Sequence, residues 1–193
     1  MKKFELTNEF ITNMFGTKLF RIRALVEFGD VEAGELGGYV EKESNLGHDD
    51  NAWVYDNAWV YGDAQVSGDA LVYDNARVYG DAQVSGDALV YDNAWVYGDA
   101  QVSGDALVCG DARVCGDARV CGNGDYAYAH GFGSVNRTTT FFRLKDGGVG
   151  VRCGCFYGTL PEFRDKIRET HGETKKAQEY LMLADLMKLR FEK

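Results

Sequence analysis

The sequence predicts a mainly β protein: a solenoid of stacked parallel coils, then a β-hairpin and two helices. Three observations predict it. A six-residue beat, (Gly/Asp)-(Asp/Asn)-Ala-x-Val-(Tyr/Ser/Cys), runs unbroken from Asp50 to Cys121, twelve times. A longer repeat overlies it: GDAQVSGDALVYDNARVY at 62–79 returns almost letter for letter at 80–97, and more loosely at 98–115. The chain has 24 glycines against one proline, so glycine, with its Asp and Asn neighbours, must make the turns.

Residues 1–49 read as an N-terminal strand and a capping coil. KLFRIRALVEF (18–28) alternates and is rich in branched and aromatic residues, the pattern of a strand. Val40 and Leu46 lie six apart, with Ser44 at the small position between them, so a lead-in coil is expected here. The beat then slips by two residues across Gly47–Asp50. This end would cap the open sheet edges of the solenoid, which otherwise invite aggregation.

Residues 50–121 carry the beat, enough for about four regular coils. Each hexad supplies a short strand and a corner, and three hexads close one triangular coil, which explains the eighteen-residue repeat. Coils then stack about 4.8 Å apart, the strand spacing of a sheet. Valine and alanine point inward, and the outward positions form three walls. The first carries Trp53, Tyr55, Leu71, Tyr73, Leu89, Tyr91, Leu107 and Cys109; the second Trp59, Tyr61, Arg77, Tyr79, Trp95, Tyr97, Arg113 and Cys115; the third Gln65, Ser67, Gln83, Ser85, Gln101, Ser103, Arg119 and Cys121. The third is expected to face solvent. The first is too apolar to stay wet, so another subunit or the chain's own terminal segments, the C-terminal helices in particular, should cover it. The corner aspartates are expected to bond their own backbone, since the Gly-Gly-x-Gly-x-Asp nonapeptide of calcium-binding repeats is absent. Cys109, Cys115 and Cys121 leave one coil in three directions and cannot converge on a metal, so they read as small surface side chains.

Counted from valine, the unit is Val-x-x-x-Ala-x, aliphatic first and small fifth. Over these 72 residues the chain resembles the hexapeptide repeat of left-handed parallel β-helix proteins. The resemblance implies the left hand and a homotrimer around a threefold axis. From the FGDVEAGELGGYVEKESNL lead-in to the TTTFF…GCFYGTLPEF tail, the whole chain looks like a group of short hexapeptide-repeat proteins of bacteria and phages, often labelled transferases on repeat content alone. Enzymes of the wider family are mostly acyltransferases with a thioester donor and a histidine base. None of His48, His130 and His171 interrupts the coils on an extruded loop, where that family places its active site. His130, in a glycine-rich loop, is the candidate base for the acyltransferase alternative. The resemblance transfers no catalytic residue, and a non-catalytic role is expected.

Residues 122–193 read as a hairpin plus helices. TTTFFRLK and VGVRCGCF flank an Asp146-Gly147 turn. TLPEFRDKIRETHG reads as a helix, with Thr159 and Glu162 as a capping box, Pro161 in the first turn and Gly172 at its end. A second helix, over about 174–190, carries Ala177, Tyr180, Leu181, Ala184 and Met187 as an apolar core stripe.

Charge narrows the function. The net charge of −9 divides into −3 over 1–49, −10 over 50–125 and +4 over 126–193. The acidic solenoid is a poor partner for a nucleic-acid polymer. An anion belongs in the C-terminal third. There Arg137, Arg143, Lys145 and Arg152 cluster with Thr138, Thr139 and Thr140, and Phe142 and Tyr157 offer rings. Guanidinium forks, hydroxyls and stacking rings suit a small phosphate-bearing, nucleotide-like ligand. The stretch is not a P-loop. Cys153 and Cys155 lack the further ligands a metal needs, and no cofactor is expected. The leading expectation is a trimeric, non-catalytic binder of a small anion; in a phage it would sequester a host signalling nucleotide. A structural or assembly role stays open. No apolar run is long enough to span a membrane, MKKFELTNEF has no apolar stretch after its lysines, and five scattered cysteines suit a reducing cytoplasm.

Overall fold

Parallel stacking of the hexads organises the molecule. In the computed structural model, which describes residues 2–192, three N-terminal strands come first: β1 (Phe4–Thr12), β2 (Lys18–Ala24) and β3 (Leu36–Val40). Twelve strands of two to four residues follow, β4 (Trp53–Val54) to β15 (Arg119–Val120), one at each x-Val step of the beat. Each pairs in parallel with the strand eighteen residues away, as in Val54–Val72, Val72–Val90 and Val90–Val108. The result is a parallel β-solenoid with three walls. All twelve valines and twelve alanines of the beat are fully buried; each buried valine contributes about 1.5 kcal/mol of gross apolar stabilisation.

The corners explain the remaining letters. From the second hexad on, the first residue turns the chain with a positive φ, whether glycine (Gly68, +67°) or aspartate (Asp56, Asp74 and Asp92, +52° to +58°). Among the described residues no corner aspartate bonds its own backbone, contrary to the expectation. Asp69 accepts from Asn51, and Asp74 and Asp92 accept from the backbone N–H of Asp92 and Gly110, one coil on. These bonds tie coils together along the axis.

A parallel ladder ends in unpaired carbonyls at one end and unpaired N–H groups at the other, and the two caps are chemically opposite. The lead-in coil forms as expected, and the two-residue slip shows as pairings twenty apart, Val40 with Val60 and Leu46 with Val66. Ser44, expected at the small inward position, instead lies exposed in a short 3-10 turn over Glu43–Asn45. Asn45 takes the inward place. It is fully buried, and its Nδ2 donates to the carbonyls of Gly62 and Ala64 at 3.0 and 2.8 Å. Lys3 Nζ donates to the carbonyls of Asp50 and Ala52 at 2.6 and 2.9 Å. At the far end the caps are acceptors: Asn123 Oδ1 for Leu107 N–H, Thr140 Oγ1 for Arg113 N–H and Asp125 Oδ2 for Cys121 N–H.

Burial pushes the Lys3 ammonium from 10.5 down to about 8. Between those values the unfolded chain keeps a proton that the folded chain has lost. The contribution of this group to stability is therefore smallest below about pH 8 and grows as pH rises towards 10.5. Thermal melts at two pH values inside and below this window should show the wild type gaining on Lys3→Met at the higher pH. A constant gap would place the ammonium in water.

β1 and β2 form an antiparallel hairpin that joins β3, so the second wall becomes a seven-stranded sheet. β1 was not foreseen, and β2 ends at Ala24, short of the expected 28. On the third wall Gln65, Ser67, Gln83 and Cys121 are exposed, and Ser85, Gln101, Ser103 and Arg119 are half-buried. On the first wall only Trp53 is fully covered, by Phe4 and Phe28 of the N-terminal segment; Leu71, Leu89 and Leu107 stand half-buried. The C-terminal helices do not cover this wall.

Those helices pack on a four-stranded antiparallel sheet, β16 (Tyr126–Phe132), β17 (Arg137–Arg143), β18 (Val149–Cys153) and β19 (Phe156–Thr159). The expected hairpin is β17–β18. α1 (Leu160–His171) begins with the Thr159–Glu162 capping box and ends at Gly172; α2 spans Lys175–Phe191. Phe141, Phe163, Ile167, Tyr180 and Ala184 form the core of this unit.

Candidate functional site

The outward side chains of the second wall form a column. Arg77 Cζ lies 4.2 Å from the ring centre of Trp59 and 5.2 Å from that of Trp95; Arg113 Cζ lies 4.6 Å from that of Trp95. Beside it Tyr61, Tyr79 and Tyr97 stack face to face at 5.0 Å. Identical spacing of outward residues on successive coils produces both. Arg113 ends its column where the C-terminal sheet crosses the solenoid. Between the two lies a cleft of about 510 Å³, lined by Asp111 and Arg113 from the last coil, Arg137 and Thr138 from β17, and Arg152, Gly154 and Cys155 from β18 and its turn.

Positive charge outweighs negative in its lining. Three guanidiniums line it against one carboxylate, Asp111. Among the described residues, none of Arg113, Arg137 and Arg152 makes an ion pair, whereas Arg143, Arg164 and Arg168 each have a carboxylate. Arg152 Nε is buried without a hydrogen-bond partner among the described residues, a costly state for a polar group. Arg137 lies against Gly154, its guanidinium occupying the space an added Cβ would need. The turn before Arg137 is strained: Val135, β-branched, has φ +53° and Asn136 +48°. Below, burial pushes Tyr79 up to about 12 and raises Tyr97 and the Cys115 thiol, so all three stay neutral at pH 7. Cys115 is buried, against the expectation of a surface thiol.

The structure brings together only part of the expected set. Arg137, Thr138 and Arg152 line the cleft. Thr140 is buried, its Oγ1 accepting from Arg113 N–H at 2.9 Å, and Thr139 is buried and donates to Cys153 Sγ at 3.2 Å. Arg143 turns away, donating to the carbonyls of Gly147 and Phe191 near Asp125. Lys145 pairs with Asp117 at 3.2 Å. Phe142 is wholly within the core and has no face to offer a ligand. Tyr157 is half-exposed and sets its hydroxyl against Gly116 on the solenoid, outside the cleft lining. His130 reaches the rim, its Nδ1 2.9 Å from Thr138 Oγ1 and 3.9 Å from Asp111 Oδ2. His48 stacks on Phe4 and His171 on Tyr180. Among the described residues no group of three or more His, Cys, Asp or Glu is placed to hold a metal, and no helix is long and apolar enough to cross a membrane.

Sequence reasoning missed Arg113 and Asp111 as cleft residues. The signal was present: Arg113 is the last outward residue of the Trp59-Arg77-Trp95 series, on the last coil before the tail.

Three consecutive segments, residues 64–80, 82–98 and 100–116, match the family described as YdcK Beta solenoid repeat. The chain is thus a short β-solenoid repeat protein. The match ends at 116, so the sheet and helices that complete the cleft lie outside it. No curated protein matches the chain.

Proposed function

We propose that the chain is a non-catalytic binding protein that holds a small phosphate-bearing anion in the cleft between the last coil and the C-terminal sheet. The observation that carries this reading is the convergence of Arg113, Arg137 and Arg152, none with a carboxylate partner and one with a buried, unpartnered Nε. Guanidinium forks match phosphate oxygens in pairs, and each such bond is roughly twice as strong as a neutral one. A binder with no chemistry of its own acts by sequestering its ligand, and a host signalling nucleotide in a phage setting is one such ligand. Titration calorimetry with inorganic pyrophosphate tests the site. Arg152→Ala should weaken binding by about tenfold or more, while Arg164→Ala, whose side chain pairs with Asp185 on the helices, should not change it. Equal affinity in wild type and Arg152→Ala would remove the cleft as the site.

The half-buried Leu71, Leu89 and Leu107 column, flanked by the stacked Tyr73 and Tyr91, is our choice for the face on which three copies pack. A monomeric mass by native mass spectrometry would dispose of that assembly.

One observation favours an acyltransferase as the second reading. His130 stands at the cleft rim against Thr138, with Asp111 nearby. Thioester turnover that disappears in His130→Ala would establish it.

A further inference from the structure

The cleft is also the open end of the guanidinium–ring column. Arg77 is sandwiched, with Trp59 on one face and Trp95 on the other. Arg113 has Trp95 on one face and, among the described residues, no ring on the other. One coil further the position would fall at residue 131, but the beat has already ended at Cys121. β17 crosses there instead. Its Thr140 accepts from the Arg113 N–H, and the Arg113 side chain lines the cleft.

We infer that the ligand carries a planar aromatic ring of the nucleobase class, and that this ring stacks on the uncovered face of Arg113 as the next member of the column. The inference rests on the cleft being an anion site. A guanidinium stacks on rings through both faces, as Arg77 does, and is more weakly hydrated than an ammonium, so it gives up water readily to a second ring. Trp95 on the inner face holds the Arg113 plane in place before the ligand arrives, which lowers the ordering cost. Arg137 and Arg152, on the opposite lip, are left for the phosphates. The ligand thus spans the cleft from solenoid to sheet, ring on one side and anion on the other.

A rival place for the ring is close by. A cavity of about 180 Å³ shares Arg137 and Cys155 with the cleft and is walled by Phe156, Phe163, Ile167 and Tyr180, with Thr170 at its edge. A cavity of about 150 Å³ with apolar walls holds benzene, so size alone does not separate the two places.

Calorimetric titration of the full chain with inorganic pyrophosphate and with the four common nucleoside diphosphates separates them. The nucleoside diphosphates should bind about tenfold more tightly than pyrophosphate, the yield of one stacked ring. Arg113→Lys keeps the charge and loses the plane. It should weaken both ligands but bring their ratio to within about twofold. Thr170→Trp, which fills the neighbouring cavity from an exposed position, should preserve the ratio. A ratio near one in the wild type, with pyrophosphate bound, overturns the ring inference and leaves the anion site standing. A ratio that survives Arg113→Lys and vanishes in Thr170→Trp puts the ring in the neighbouring cavity and also overturns it. No binding of any of the five removes both.

Discussion

Val84→Asp is expected to leave the chain largely unfolded, while Gln83→Lys, one residue earlier, should change stability by less than about 0.5 kcal/mol. Val84 is fully buried in the middle of a column, paired with Val66 below and Val102 above. An aspartate there would have no polar partner in a prism lined by valine and alanine. The cost of burying it, even protonated, is about 4 kcal/mol or more, a large part of the roughly 5–15 kcal/mol that holds a domain together. Parallel stacking gives the coils no independent route to stability, because each buries its inner face only against its neighbours. The damage should spread along the solenoid. Circular dichroism and limited proteolysis of the two variants would show it; a folded Val84→Asp protein would mean the interior admits water.

The second large effect is expected at Asn45→Asp, a change of one atom. The Asn45 amide sits between two carbonyls as a donor and accepts from Lys42 N–H at 2.9 Å through its oxygen, so every part of the group is used. A carboxylate keeps the shape, turns two attractive contacts into repulsive ones and is buried as a charge. A loss of about 3–5 kcal/mol is expected, measured as the midpoint and slope of urea unfolding. Asn45→Leu should cost less, about 2–3 kcal/mol, because it leaves acceptors unpaired without opposing them. If Asp were tolerated as well as Leu, the amide would not be the cap.

These two positions mark the limit of what the letters reveal. Val84 was legible because the beat is strict: an aliphatic residue every six positions has only one place to go in a closed coil. The two-residue slip was legible too, since Val40 and Leu46 keep the beat on one side of it and Val54 on the other. Asn45 was not. By position it is an outward residue, equivalent to Gln65, and only the three-dimensional end of a carbonyl ladder creates the demand that turns it inward. Ser44 fitted the pattern and the pattern had already stopped applying. The tail shows the same division. Thr159, Glu162 and Gly172 announce α1 because caps are local chemistry, whereas β16 and β19 are strands by virtue of the neighbours they pair with. In the cleft, Arg137, Thr138 and Arg152 could be singled out as a basic cluster in one stretch of chain. Nothing in that stretch told which arginines would be neutralised, and Arg143 and Lys145 found Asp125 and Asp117 near the end of the last coil. Arg113 belonged to a wall and became a site residue only because the tail folds back across it.

The Trp59-Arg77-Trp95-Arg113 column sets a parity rule on the length of the protein. Near-identical eighteen-residue units permit the chain to lose or gain one coil at a time without disturbing any valine or alanine. The column has twice that period. Loss of residues 78–95 would set Arg77 directly beneath Arg113, cation on cation; loss of 60–77 would set Trp59 beneath Trp95 and remove a cation from between two rings. A single coil lost from within the column leaves one mismatched neighbour pair, and two adjacent coils lost from within it leave none. The interior counts coils singly, and the outer surface counts them in twos.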